Sequence, residues 1–237
     1  MLLGGFHIEV KGGSTPPAPA AGSSETSRRL VALLALHDHP LSRSAVAGSL
    51  WPDVPEDQAL GRLRSALSRR DPVARAVTRV TPLELGLAPD VTVDWRDARG
   101  LARTVLHDDQ LGDVSSADAV CALSLDLLPG WDEPWVLEDA REWRELRIHA
   151  LEVLAHRLTD DQCWGDAAEA ALSAIRADPL RESARTTLIR LHLLEGNRAA
   201  AIEEYRRYHE LLADEVGLVP TDELTELTFH SQLGHPE

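Results

Sequence analysis

Apolar positions follow two rhythms along this chain. Leu2 to Val10 alternates in part, which predicts a short strand, and Gly12 to Ser24 is rich in Gly, Pro, Ala and Ser, which predicts a loop. Leu30, Leu33, Leu34 and His37 then recur at helical spacing, predicting a first helix that ends near Pro40. A second helix opens at Leu41–Val46, with Ser42 as N-cap and Leu41 and Val46 at the staple positions, and stops at Trp51-Pro52. Asp53 to Glu56 starts a third, with Pro55 expected in its first turn and Leu60, Leu63 and Leu67 on one side. Val77–Val80 and Val91–Val93 are β-prone and separated by Pro/Gly-containing sequence, so they predict the two arms of a wing. Strand, three helices and a hairpin is the order of a winged helix-turn-helix with a small β-sheet.

From Asp94 the pattern becomes all helical, with loops expected at Asp108–Ser116 and Leu128–Pro134. A 34-residue period then emerges: Ala167 recurs as Ala201, Leu154 as Leu188, Trp164 as Arg198, Ala171 as Tyr205 and Ala174 as Tyr208. Pro179 closes the first unit, and Gly196-Asn197 and Gly217 fall where helix C-caps are expected. The spacing is that of tetratricopeptide-like repeats. The fold class expected is therefore mainly α, with a winged helix-turn-helix at 1–93 and an all-α, tetratricopeptide-like domain at 94–237.

Composition changes the picture in one respect. The net charge of −15 argues against a nucleic-acid binder, but the charge is unevenly placed. Residues 1–100 hold 12 basic and 11 acidic side chains, a net of +1, while residues 101–237 hold 12 and 28, a net of −16. Between Gln58 and Val80 lie Arg62, Arg64, Arg69, Arg70, Arg75 and Arg79 against Asp71 alone. Such a local basic stretch suits phosphate binding, whereas the acidic half suits a protein partner. No run of about 18 apolar residues predicts a membrane span, and Met1 to Val10 lack the features of a signal peptide. Cys121 and Cys163 are expected as reduced thiols in a cytoplasmic protein.

Placed at about 100° per residue, Gln58, Arg62, Ser65 and Arg69 share the side of the third helix opposite its leucines. Arg reads guanine and Gln reads adenine through paired hydrogen bonds, so these four are the candidate base contacts, Arg62 foremost. Ser42, Arg43 and Ser44 at the start of the second helix, with Arg64 and Ser68, are the candidate phosphate contacts. Arg79 is the candidate wing contact. The plainer alternative is a solvated polar face for the third helix, ordinary capping by Ser42 for the second, and a solvated strand residue for Arg79, while for Arg28 and Arg29 a solvated first turn is the better reading. Gly61, in mid-helix, either lets DNA approach the backbone or is simply tolerated. His37-x-His39 lacks further ligands for a metal and marks a helix end, and Asp160-Asp161 reads as a turn. Trp131, Trp135 and Trp143 are expected as core residues of the helical domain. No nucleotide-binding, hydrolase or metal-protease motif occurs, so no catalytic residue, metal or cofactor is expected.

The segment SRRLVALLALHDHPLSRSAVAGSLWPDVPEDQALGRLRSALSR (Ser27–Arg69) resembles the OmpR-like DNA-binding domain of SARP-type regulators, the antibiotic regulatory proteins. DLLPGWDEPWVLEDAREWRELRIHALEVLAHRL (Asp126–Leu158) and ADPLRESARTTLIRLHLLEGNRAAAIEEYRRYHELLADEVGLVPTDEL (Ala177–Leu224) resemble the bacterial transcriptional activator domain that follows it. The resemblance implies a transcriptional activator of biosynthetic genes. It would bind direct repeats in promoter DNA as side-by-side protomers and recruit RNA polymerase through σ and the α C-terminal domain. The stretch from Arg69 to Val77 is short for the family, which leaves the end of the third helix open. The alternative is an interaction adaptor whose winged helix no longer binds DNA.

Overall fold

The computed structural model describes residues 1–9, 24–107 and 114–230. Most of the loop expected at Gly12–Ser24, and most of the one at Asp108–Ser116, lie outside them. Two compact units emerge, Met1–Ala98 with Leu125–Trp143, and Arg99–Ser124 with Arg144–Glu237.

In the first unit, α1 (Glu25–Leu36) begins at Ser24, whose hydroxyl accepts from the Ser27 amide. Every residue from Leu30 to Leu36 is buried, which makes α1 the central helix of the unit. β1 (Leu41–Ser42) leads into α2 (Arg43–Leu50), capped as expected by Ser42 accepting from the Ala45 amide. α3 runs Glu56–Ser68, with Pro55 one position ahead of the first turn rather than within it. A fourth helix, α4 (Pro72–Val77), occupies the stretch that looked short; Asp71 caps it and Pro72 sits where its missing N–H is harmless. β2 (Thr78–Val80) and β3 (Glu84–Leu87) then form an antiparallel hairpin. The sheet order is β1-β3-β2, with Leu41 opposite Leu85 and Arg79 opposite Gly86. One core unites α1, α2, α3 and β3 through Leu30, Leu33, Leu34, Val46, Leu50, Ala59, Leu63, Leu67 and Leu85.

Several expectations are corrected here. Val91–Val93 is not a wing arm: Val93 is buried and its carbonyl accepts from Arg96 and Asp97 at the start of α5 (Asp94–His107). Leu2–Glu9 does not form a strand, because Gly4 and Gly5 take φ of +70° and +139° and break the extended run. This arm is pinned instead by Asp94, whose carboxylate accepts from the Leu2 and Leu3 amides at 2.7 and 3.0 Å, and by a single bridge from Leu3 to Leu127. Trp131 and Trp135 belong to the first unit. Trp131 meets Phe6, and Trp135 packs on the core of the winged helix. Trp143 is buried there too, donating to the Leu125 carbonyl. Asn197 caps the start of a helix rather than the end of one.

The second unit holds α6 (Ser116–Leu123), most of α7 (Pro134–Asp160), α8 (Trp164–Ala177), α9 (Glu182–Leu194), α10 (Arg198–Val216) and α11 (Asp222–His230). The 34-residue period is structural: α8 and α10 start at Trp164 and Arg198. Ala167 and Ala201 are fully buried, and Leu154 and Leu188 nearly so. Alanine-lined contacts let the helices approach closely. Charge pairs tie α7 to α9 and α9 to α10. Glu152 on α7 accepts from Arg181 at 2.7 Å and from Ser183, and Arg185 pairs with Glu204 while its guanidinium covers the Tyr208 ring. Burial works to raise the Glu152 carboxyl, but the hydrogen bonds from Arg181 and Ser183 prevail and hold it below its ordinary value. Gly217, at φ +67°, ends α10 in the left-handed conformation.

The buried Tyr208 hydroxyl donates to the Leu180 carbonyl at 3.0 Å. Burial, then the Glu182 carboxylate, pushes its phenol up to about 12. Tyr208→Phe leaves that carbonyl without its donor and is expected to cost about 1 kcal/mol in urea unfolding at neutral pH. Above the ordinary phenol value of 10 the unfolded chain ionises first. Wild-type stability therefore falls as pH rises from there toward 12, and the variant loses less over the same window.

Candidate nucleic-acid interface

The third helix is held by its back. Ala59, Leu63 and Leu67 repeat every fourth residue and are buried in the shared core, which forces the opposite side outward. Gln58, Arg62, Ser65 and Arg69 are all exposed on that outer side, and Arg64 and Ser68 are exposed beside them. Among the described residues, none of the Arg62, Arg64, Arg69 or Arg79 guanidinium groups has an ion pair or hydrogen bond. The Ser68 hydroxyl donates back to the Ser65 carbonyl. The first turn of α3 carries Glu56 and Asp57, both exposed, where carboxylates favour the helix dipole. The basic face thus begins nearly two turns into the helix, at Arg62.

Gly61 lies on this exposed side. A Cβ there would meet only the Arg64 Nη2 atom, at 3.7 Å, so no internal packing demands glycine. Arg70 points the other way. It donates to the Leu67 carbonyl and to the Thr78 hydroxyl, fastening the end of α3 to β2, and burial followed by Arg75 draws it below its ordinary value.

The start of α2 and the wing turn form one assembly. Ser42 and Ser44 are exposed and share a hydrogen bond at 3.1 Å. The Arg43 amide donates to the Leu83 carbonyl at 3.1 Å, and its guanidinium donates to the Thr81 carbonyl at 3.3 Å. Thr81 and Glu84 close the turn between them with hydrogen bonds of 2.9 to 3.0 Å. At its tip Leu83 is 78% exposed, a feature that the sequence pattern did not single out. Arg79 is exposed on β2. Arg28 and Arg29 are not merely solvated: Arg28 lies over Phe6 and Trp131, and Arg29 pairs with Glu133 at 2.8 Å and donates to the Leu50 carbonyl. No group of residues that could hold a metal ion occurs among the described residues, and none of their helices is long and apolar enough to cross a membrane.

Residues 98–230 match the bacterial transcriptional activator domain. The chain belongs to that family. With a helix-turn-helix unit ahead of the activator domain, it is a SARP-type transcriptional regulator. It is similar to regulatory protein AfsR of Streptomyces coelicolor, 29% identical over 217 residues, and to that of Streptomyces griseus, 26% identical over 225 residues. Each match takes in 88% of this chain but 22% of the relative, so the chain spans about a fifth of their length. The fold is similar to Mycobacterium tuberculosis EmbR, solved in complex with a low-affinity phosphopeptide. The TM-score is 0.57 at 23% identity, over 96% of this chain and 62% of that one.

Arg43→Ala removes one of the hydrogen bonds that hold the wing turn. It is expected to lower stability by about 0.5–1.5 kcal/mol and to speed amide exchange at Thr81 and Glu84. Gly61→Ala is expected to raise stability by up to about 1 kcal/mol, since it improves helix propensity without a clash. Thermal unfolding measures both.

Proposed function

We propose that this regulator binds promoter DNA sequence-specifically through α3 and activates transcription of a biosynthetic gene cluster. The observation that carries the reading is the outer side of α3: Gln58, Arg62, Ser65 and Arg69 stand exposed there while the other side is locked in the core. Such a helix fits the major groove, and unengaged guanidinium groups are free to meet base edges. Ser42, Arg43, Ser44, Arg64 and Ser68 would take phosphates, and Arg79 on the wing would reach the adjacent backbone or groove. Gly61 would let the duplex approach the helix backbone.

Two protomers side by side on direct repeats, in the cytoplasm, would present the acidic helical repeats to RNA polymerase, through σ and the α C-terminal domain. The net charge of −16 over residues 101–237 supports a protein-facing role for that half of the chain. The same charge favours a second reading, an interaction adaptor whose winged helix does not bind DNA.

Mobility-shift assays with promoters of the protein's own gene cluster separate the two. The activator shows selective shifts that weaken steeply with salt, whereas the adaptor shows none even at low salt. Arg62→Ala is expected to cost about 1–3 kcal/mol on the specific site and to relax preference at one base position. Arg64→Ala is expected to weaken binding evenly across sequences and to lower the salt slope by about one. Gly61→Ala weakens specific binding despite the stability it adds. An Arg62→Ala protein that binds its promoter as wild type does removes α3 from the groove.

A further inference from the structure

A cavity of about 420 Å³ lies within the first unit, walled by the N-terminal arm, α1, the end of α4, β3 and residues 90–93. Small-molecule sites fall between about 300 and 1,000 Å³. The walls are mainly apolar, with Phe6, Val31 and Leu87 among them. The charged side chains are of one sign. Glu9 and Asp90 are exposed carboxylates, and no arginine or lysine is among the described lining residues. The Met1 ammonium is engaged by the His7 carbonyl at 2.6 Å. His7 also lines the cavity, and its Nδ1 is sealed from water without a hydrogen-bond partner. A buried polar atom in that condition is unfavourable, and among the described residues no hydrogen bond holds the ring in its place.

We propose that this cavity binds a small hydrophobic amine that acts as an effector of the DNA-binding unit. The apolar body would fill the space between α1 and β3, and the ammonium would face Glu9 and Asp90. A modest rotation of the His7 ring would bring its free nitrogen to an N–H of the ligand. Binding alone does not depend on the DNA-binding reading, but the effector role rests on it. The link is β3, which contributes Leu87 to the wall, pairs with β2 to make the wing, and pairs with β1 ahead of α2. An occupant that packs against β3 therefore acts on both the wing and the start of α2.

The test uses the whole chain with phenethylamine, phenethyl alcohol and 3-phenylpropanoate, each up to about 10 mM, in thermal unfolding. The amine is expected to raise Tm by several degrees, the alcohol by less, and the carboxylate not at all. In the double variant Glu9→Gln/Asp90→Asn, both exposed positions, the amine shift falls to that of the alcohol. Ala35→Phe fills the cavity and abolishes both shifts, with circular dichroism confirming its fold. The amine also changes wild-type promoter affinity about threefold or more, and leaves the double variant unaffected. No amine shift, a shift unchanged in the double variant, or an equal shift from the carboxylate overturns the site. A shift without any change in affinity, in a protein that binds its promoter, overturns the effector role. If no promoter is bound at all, the DNA-binding reading fails while the Tm series still decides the cavity.

Discussion

Ala59, Leu63 and Leu67 share one core with Leu33, Leu34 and Leu50, and the placement of every exposed group on α3 follows from that packing. A helix with three buried positions at intervals of four has no freedom to roll. Removing the Leu63 side chain would open a void where α1, α2 and α3 meet, at a typical cost of about 2–5 kcal/mol. The arginines of the outer side are thus aimed by leucines buried on the other. The wing is aimed the same way, because Leu85 anchors β3 in the same core.

Charge is partitioned as sharply as packing. Residues 1–100 are nearly neutral overall but gather their bases on α3 and just after it, while residues 101–237 carry the net negative charge. Whole-chain charge therefore says little about either unit. Within the repeats, buried or half-buried acids are matched by named cations: Glu152 by Arg181, Glu204 by Arg185. The acids left over lie on the surface, where they set the field that a partner meets.

The parts of the fold that were legible in the sequence are those fixed by local rules. Ser42 caps α2, Pro52 stops it, and the leucine spacing of α3 sets its faces. The 34-residue period survives because small residues at Ala167 and Ala201 are needed wherever two helices approach closely. What was not legible depends on distant contacts or weak local signals. β3 has only Leu85 and Leu87 to mark it, and the β-branched run Val91–Val93 was the stronger lure. α4 carried a start signal, Asp71-Pro72, in a stretch too short to show a period. Trp131 packs on Phe6, and Trp135 on a core drawn from Leu30 to Leu85, separations that no local pattern reveals. Of the candidate interface, the outer side of α3 was visible as a period. The engagement of Arg43 by the Thr81 carbonyl was not, since it joins residues 38 apart.

That last contact has a mechanical consequence. Arg43 binds the wing turn through both its amide and its guanidinium, and Arg70 fastens α3 to β2, so the start of α2, the end of α3 and the hairpin form one stiff body. A stiff reader on a duplex leaves the bending to the DNA. On the proposed reading, base steps that bend or untwist readily would be favoured between the points of contact, and preference would arise at base pairs that no side chain touches.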